Sequence, residues 1–166
     1  MRGVLALVAT ALMTTMLFVA PAAATPPDAV SMTIVETFNP TVGTFTASGG
    51  VFGAGTTGTS TGEWFKFESF SFVSRDHFIV FKAGNRVTTP DGSFAIVFEA
   101  SCRFITFDPR TGDATAVCSG SWQVNGGTGA YTGLQGTGSW NEPEVTNVYA
   151  NTGGGTNTLT GRMHVV

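Results

Sequence analysis

The chain has 166 residues, among them 22 glycines and 14 phenylalanines, and its 8 basic and 11 acidic side chains give a net charge of −3 at pH 7. This length suits one domain with one core, and a thinly charged, slightly acidic surface argues against nucleic acid as a partner. So many phenylalanines beside so few charges indicate a well-filled interior, or an apolar face used in oligomerisation.

The N-terminus has the pattern of a secretory signal. Arg2 precedes an apolar run over residues 4–20, which small residues follow. We therefore predict a signal peptide over 1–24, a flexible leader over 25–29 and a single domain over 30–166. The competing interpretation is a membrane anchor, but the run is short, threonines dilute it and no basic residues follow it. We expect a secreted, extracellular protein without a stable membrane anchor.

Beyond this segment the apolar residues recur with a period of two, and Thr, Val, Ile, Phe and Gly dominate. Short strands separated by Gly, Pro and Asn predict an all-β barrel or sandwich. Eight antiparallel strands would make a barrel just wide enough to be filled by side chains or to hold one small ligand. We place the strands at 30–38, 43–52, 63–74, 77–88, 93–107, through Trp122, 134–141 and 156–166, with 53–62 as a loop or strand end and 142–155 as a polar connection.

The third predicted strand is apolar on both faces. Phe65 and Phe67 lie on one face, and Trp64, Phe70 and Phe72 lie on the other. Such a strand is normally covered on both sides. In a barrel, one cover is the interior, which we call the lumen, and the other is a packed loop or a neighbouring subunit. We therefore expect a homo-oligomer with this strand in or near its interface.

The fifth predicted strand separates an apolar face from a charged one. Its apolar face contains Phe94, Ile96, Phe98, Ala100, Cys102 and Phe104, and we assign it to the lumen. If the next hairpin is symmetric about Arg110, Cys102 lies opposite Cys118 at a distance that a disulfide can span. In an oxidising compartment, two cysteines favour that bond. Neither cysteine has a metal-ligand partner at the usual spacing, so we expect no metal and no cofactor.

The densest cluster of glycines lies between Gly126 and Gly138, where six of thirteen residues are Gly. Glycine is favoured where the chain turns sharply or where two backbones approach closely. We predict that a strand ends near Asn125 and that a tight turn plugs one opening of the barrel with Tyr131 and Leu134.

This glycine-rich stretch, with Ser121–Val124 before it, resembles the late strand-turn-strand of the allene oxide cyclase and dirigent-type β-barrel superfamily, especially its secreted bacterial members of unassigned role. The ending Thr158–His164 is similar to that superfamily's last strand. The resemblance implies an eight-stranded antiparallel barrel, and frequent trimers in the family favour a trimer here. The plant enzymes cyclise or steer reactive apolar molecules in the lumen with a few buried polar residues. We find no positions here that match those residues.

Candidate site residues are few, because the sequence contains no hydrolase elbow, metal-binding cluster or phosphate loop. As lumenal ligand contacts we predict Phe94, Ile96, Phe98, Phe104, Trp122 and Tyr131. The catalytic candidates are Glu68, Tyr131 and His77, each with a simpler alternative: an exposed charge, a plug residue bonded to backbone, and a surface histidine. Lys82, Arg86, Glu99 and Arg103 are expected as exposed charges that form pairs across strands.

The first hypothesis is a secreted barrel that binds a small apolar molecule in its lumen or acts as a structural module. The alternative is a cyclase or isomerase that confines an apolar substrate, and a weaker one is a carbohydrate-binding protein of the cell envelope, with tryptophans that stack on sugar. A closed, Phe-filled core would favour the structural module. An open pocket with buried ionisable residues would favour the enzyme, and an outer row of exposed tryptophans would favour the sugar binder.

Overall fold

The computed structural model describes residues 26–73 and 76–166, so the predicted signal peptide at 1–24 lies outside the described residues. Eight antiparallel strands pair in chain order and the last pairs with the first, which closes the sheet into a barrel and confirms the predicted fold class. The strands are β1 (Asp28–Phe38), β2 (Val42–Ser48), β3 (Thr56–Val73), β4 (Asp76–Thr89), β5 (Gly92–Phe107), β6 (Asp113–Gly129), β7 (Leu134–Asn147) and β8 (Thr152–Val165). In the described part of the chain, no helix has the length and apolar character needed to cross a membrane.

The largest correction to the predicted strands concerns the segment 142–155. It is not a polar connection, because β7 continues to Asn147 and β8 begins at Thr152. Between these strands the pairing passes from Asn141–Thr158 to Glu144–Gly155. Pro143 lies in this interval, where a residue without a backbone N–H is tolerated. The acidic residues of the segment face inward, and this explains why its polar composition concealed a strand.

Smaller corrections lie at the other strand ends. β1 begins at Asp28, inside the predicted leader. β3 begins at Thr56, so most of 53–62 is the strand end that was the alternative to a loop. The second predicted strand ends early, because Gly50–Phe52 forms a short 3-10 turn that buries Phe52. The sixth strand continues to Gly129, past the predicted end near Asn125.

The hairpin of β5 and β6 has the predicted pairing at its cysteines. Cys102 pairs with Cys118 across β5 and β6, and the two form the predicted disulfide. Pro90 and Asp91 alone connect Thr89 to Gly92, and the register of β4 with β5 then runs without a shift. Inward-facing residues of β5 therefore lie beside inward-facing residues of β4, and the predicted apolar face of β5 is buried in the barrel.

The glycine-rich turn closes one end of the barrel, which we call the closed end. Tyr131 and Leu134 are buried there, as predicted. The Tyr131 ring lies 5.0 Å from the Phe94 ring and 6.0 Å from the Phe52 ring. Its hydroxyl shares a 3.1 Å hydrogen bond with the Thr89 hydroxyl, a side chain rather than the backbone group expected. This half of the lumen is filled by side chains.

The opposite end, the open end, has a gap in its wall. β2 pairs with β3 only as far as Val42–Thr61, whereas β3 continues to Val73 beside β4. The far half of β3 therefore lies beyond the turn between β1 and β2. Trp64, Phe65 and Phe67 are 44%, 62% and 51% exposed there.

The prediction of two strictly alternating faces on β3 is wrong. The pairing with β4 shifts between Gly62 and Trp64 and again between Phe67 and Ser69. Each bulge inserts one extra residue and interrupts the period of two. The side chains of Phe70 and Phe72 lie outside the described residues, so their faces stay a prediction.

Candidate functional site

A cavity of about 750 Å³ occupies the open half of the lumen. This volume lies within the range of small-molecule sites, roughly 300–1,000 Å³. Much of its wall is apolar and aromatic, and the remainder is a group of acids and amides. The lining side chains include Phe65, Phe67, Phe81, Ala83, Phe98, Phe104, Trp140, Glu36, Asn85, Glu142, Glu144 and Asn157.

Trp140 lies at the boundary between the filled and the open halves. It comes from β7, but its ring lies 5.2 Å from the Phe98 ring and 6.4 Å from the Phe81 ring, which belong to β5 and β4. The indole therefore reaches across the barrel from one wall to the other. Together, these three rings form an aromatic floor beneath the cavity.

Three glutamates form what we call the carboxyl cluster: Glu36, Glu142 and Glu144. The latter two are separated by one residue on β7, so both point to the same face of the strand. Gly155 on β8 pairs with Glu144 on one side and with Glu36 on the other. Glu36 and Glu144 consequently stand in one row across three strands, with a glycine between them.

That glycine leaves space for a carboxyl group. A Cβ atom at Gly155 would collide with the Oε1 atom of Glu142. The Glu142 side chain therefore lies over Gly155, between the other two acids. A side chain at residue 155 would displace it.

Two buried amides hold the cluster in place. Asn157 Nδ2 donates to Glu142 Oε1 at 3.1 Å. Asn85 Nδ2 donates to Glu36 Oε2 at 2.9 Å and lies 3.3 Å from the hydroxyl of Ser60. Asn85, Asn157 and Ser60 are all buried, so the amide groups are fixed by the packing of the lumen.

Burial keeps protons on the cluster. It raises the pKa of Glu142 to about 9, and the nearby charges of Glu36 and Glu144 add to the effect. Burial and the charge of Glu36 raise the pKa of Glu144 to about 7. Burial also raises the pKa of Glu36, against the hydrogen bonds of Asn157 and Asn85. At neutral pH the site therefore contains a protonated carboxyl group beside one that can accept a proton.

The predicted ligand contacts divide between the two halves of the lumen. Phe98 and Phe104 line the cavity. Ile96 and Trp122 belong to the filled core, with Phe94 and Tyr131 near the closed end. The Trp122 N–H is already used, because it donates to the carbonyl oxygens of Ser139 at 3.0 Å and Thr160 at 3.2 Å.

Two of the three predicted catalytic candidates lie outside this site. Glu68 is exposed, at a bulge of β3 and 4.0 Å from the Lys66 ammonium group, which agrees with the exposed charge that was its simpler alternative. Tyr131 lies at the closed end, away from the cavity. His77 is on β4, and its side chain lies outside the described residues.

The sequence contained a signal for the missed acids. On β1, Val30, Met32 and Ile34 are buried and Glu36 continues the same period of two. On β7, Trp140 is followed at the same period by Glu142 and Glu144. An acid that continues an inward-facing apolar series is the pattern that could have located the cluster.

Of the predicted outer charges, Lys82, Glu99 and Arg86 form pairs across strands as expected. Lys82 and Glu99 are 2.6 Å apart, and Arg86 and Glu63 are 2.5 Å apart, all on exposed or half-exposed side chains. Of the three tryptophans, Trp122 and Trp140 are buried and Trp64 is partly exposed, so they do not form an outer row.

The Sγ atoms of Cys102 and Cys118 lie within 4.8 Å of a Glu144 carboxylate oxygen. Both sulfurs are in the disulfide, so they offer no thiolate to a metal ion.

The comparisons with known proteins gave no relatives: no protein family model, curated protein or solved structure matches this chain.

Proposed function

We propose that this protein binds a small, largely apolar molecule in the open half of its lumen, with one polar group of the molecule directed to the carboxyl cluster. The observation that supports the proposal is a cavity with a largely aromatic wall that contains buried carboxyl groups on one side. Apolar walls with a few fixed polar groups are the usual composition of small-molecule sites. A purely structural barrel would have no need to leave this volume open or to bury acids in it.

The carboxyl cluster also limits the ligand. A carboxylate or phosphate would place negative charge where burial already keeps protons on acids, and no cationic side chain lines the cavity among the described residues to compensate it. An uncharged molecule avoids this penalty. The ligand that the cavity favours is therefore neutral and apolar over most of its surface.

The neutral fluorescent probe N-phenylnaphthylamine tests this proposal, because its emission rises in an apolar site. We expect saturable binding that is lost in Ala83→Trp, since Ala83 lines the cavity and the larger side chain would fill it. Ser101→Trp is the matched control, because Ser101 is exposed on the outer face of β5. Binding that persists in Ala83→Trp, or no binding to the native protein, would contradict the proposal.

A second candidate function is an isomerase or cyclase that uses the same cavity. It is favoured by the separated pKa values of Glu142, about 9, and Glu144, about 7, because a protonated acid beside a proton acceptor is the arrangement of general acid–base catalysis. The elementary step is removal of a proton from carbon next to a carbonyl group by the Glu144 carboxylate, while the Glu142 carboxyl group hydrogen-bonds to the oxygen. Return of the proton to another carbon completes an isomerisation.

Hydrogen exchange on a bound ketone tests this step. In deuterated water, we expect mass spectrometry to show faster deuterium uptake beside the carbonyl group of a straight-chain methyl ketone with native protein than with Glu144→Gln. The control is Glu99→Gln, on the outer surface. Uptake equal to that in buffer alone would reject the enzyme and leave the binding function intact.

We also propose that the protein is exported. The N-terminal pattern and the Cys102–Cys118 disulfide support this location.

A further inference from the structure

The three acids of the carboxyl cluster differ in how far they are buried. Glu142 is only 4% exposed, whereas Glu36 and Glu144 are half-buried, and all three line the cavity. Because the cavity meets solvent at the open end, water reaches Glu36 and Glu144 in the free protein. A ligand that fills the cavity takes the place of that water.

The charged side chains along the described wall of the cavity are all acids. Besides the carboxyl cluster, the wall contains Glu63, whose carboxylate is paired with the Arg86 guanidinium group. The residues that meet the cluster from the neighbouring strands are uncharged: Gly43 on β2, Ser60 on β3, Asn85 on β4, the Cys102–Cys118 disulfide of β5 and β6, and Gly155 and Asn157 on β8. Negative charge on the cluster is therefore stabilised by amides and water, without a cation from the described wall.

Glu144 depends on water more than the other two acids do. Asn157 donates a hydrogen bond to Glu142, and Asn85 donates one to Glu36. Glu144 receives none from the residues that the structure describes. A carboxylate loses far more free energy than a protonated carboxyl group when water is removed from it. An apolar ligand packed over Glu144 therefore favours the protonated form.

We propose that ligand binding in the lumen is coupled to proton uptake by the carboxyl cluster, so that the neutral apolar ligand is held at low pH and released as pH rises. This inference rests on the proposed binding function and adds the regulation of that site. The proton comes from solvent and is bound by a cluster carboxylate as the ligand enters.

The direction of the pH dependence follows from linkage. The ligand removes water from Glu144, so the pKa of this group is higher in the complex than in the free protein. Affinity is therefore fully present below the pKa of the free protein and is lost as pH rises through it. Burial and the charge of Glu36 raise that pKa to about 7, which places the loss just above neutral pH.

Titration with N-phenylnaphthylamine at pH 6 and pH 8.5 tests the coupling, because this probe stays neutral throughout. We expect the native protein to bind it about tenfold more weakly at pH 8.5, as one proton taken up per ligand would give over roughly one pH unit. The difference should be smaller in Glu144→Gln. Glu99→Gln, which removes an exposed acid on the outer face of β5, is the matched control and should show the native difference. Circular dichroism at both pH values verifies that each protein is folded.

Carbon NMR of native protein labelled in its glutamate carboxyl groups measures the proton directly and requires no variant to fold. Exposed glutamates titrate near pH 4.5, so signals that titrate above pH 6 belong to the cluster. Saturation with the probe should move the midpoint of at least one of these signals to higher pH. The midpoints of the exposed glutamates should stay in place.

The outcomes separate the coupling from the binding function. If the probe binds equally well at both pH values or more tightly at pH 8.5, or if no cluster signal changes its midpoint on binding, the coupling is overturned and the binding function stands. If the probe binds at neither pH, the binding function fails and the coupling fails with it.

Discussion

At the scale of single residues, the main finding is a set of acids placed where charge is costly. Glu142 is 4% exposed and receives one hydrogen bond from Asn157, so most of its solvation by water is lost. A buried carboxyl group without a cationic partner retains its proton. The Asn157 amide fixes its position, and the Asn85 amide fixes that of Glu36. Composition did not predict these residues, because a glutamate beside Pro143 is usually exposed. Their inward direction shows only in the period of two that continues from Ile34 on β1 and from Trp140 on β7.

The folded protein should lose stability as pH rises. Glu142 and Glu144 bind protons more tightly when folded, with pKa values of about 9 and about 7 against an ordinary value of 4.5. Their contribution is therefore complete below about pH 4.5 and is lost as pH rises through these two values. We expect the melting temperature to fall by several degrees between pH 5 and pH 9. The fall should be smaller in Glu142→Gln, whose side chain stays neutral.

Glu99→Gln is the control for this measurement, because Glu99 is exposed and paired with Lys82. Its melting curve should follow that of the native protein across the pH range. Parallel curves for native protein and Glu142→Gln would contradict the burial of an acid at this position.

At the scale of elements, the period of two predicted the existence of the strands more reliably than it predicted their ends. The predicted apolar face of β5 is the buried one, because long alternation determines which side faces the core. The ends of β7 and β8 and the face alternation of β3 were missed for physical reasons. Inward-facing acids resemble a polar loop in sequence, and a bulge depends on the partner strand rather than on the local residues.

The glycine-rich turn gives a test at this scale. Gly126 and Gly129 both adopt the left-handed backbone conformation, with φ of 79° and 63°. A Cβ atom at Gly129 would also collide with the Asp91 carbonyl oxygen, whereas one at Gly126 would meet nothing within 4 Å. Gly126→Ala should therefore lower the free energy of unfolding by about 1 kcal/mol, and Gly129→Ala by clearly more. Chemical denaturation measures both, and equal losses would show that the close contact is not restrictive.

At the scale of the whole molecule, the barrel is filled at one end and open at the other. Sequence reasoning predicted the closed sheet and the Tyr131 plug, because alternation and dense glycines are local signals. The cavity depends on long-range features, namely the extension of β3 past β2 and the reach of Trp140 across the lumen. Neither follows from a local pattern.

The far half of β3 leads to a prediction about assembly. Phe65 and Phe67 are more than half exposed beside a strand edge that β2 does not cover in the described part of the chain. Exposed aromatic side chains next to such an edge favour association with another copy. We expect light scattering on residues 25–166 at micromolar concentration to show a homo-oligomer, with a trimer favoured, and the double variant Phe65→Ser, Phe67→Ser to shift it to monomer.

Val145→Ser is the control for assembly, since Val145 is 67% exposed on β7, away from this edge. It should leave the oligomer unchanged. A native protein that stays monomeric and soluble would reject an interface at β3.

The binding function is tested most directly by native mass spectrometry of the protein purified from its own host under mild conditions. We expect a complex of the chain with one small, neutral, apolar molecule per cavity, and we expect Ala83→Trp, purified in the same way, to be free of it. A native protein with the bare mass of its chain, together with no uptake of neutral apolar compounds added afterwards, would contradict a binding role for the lumen.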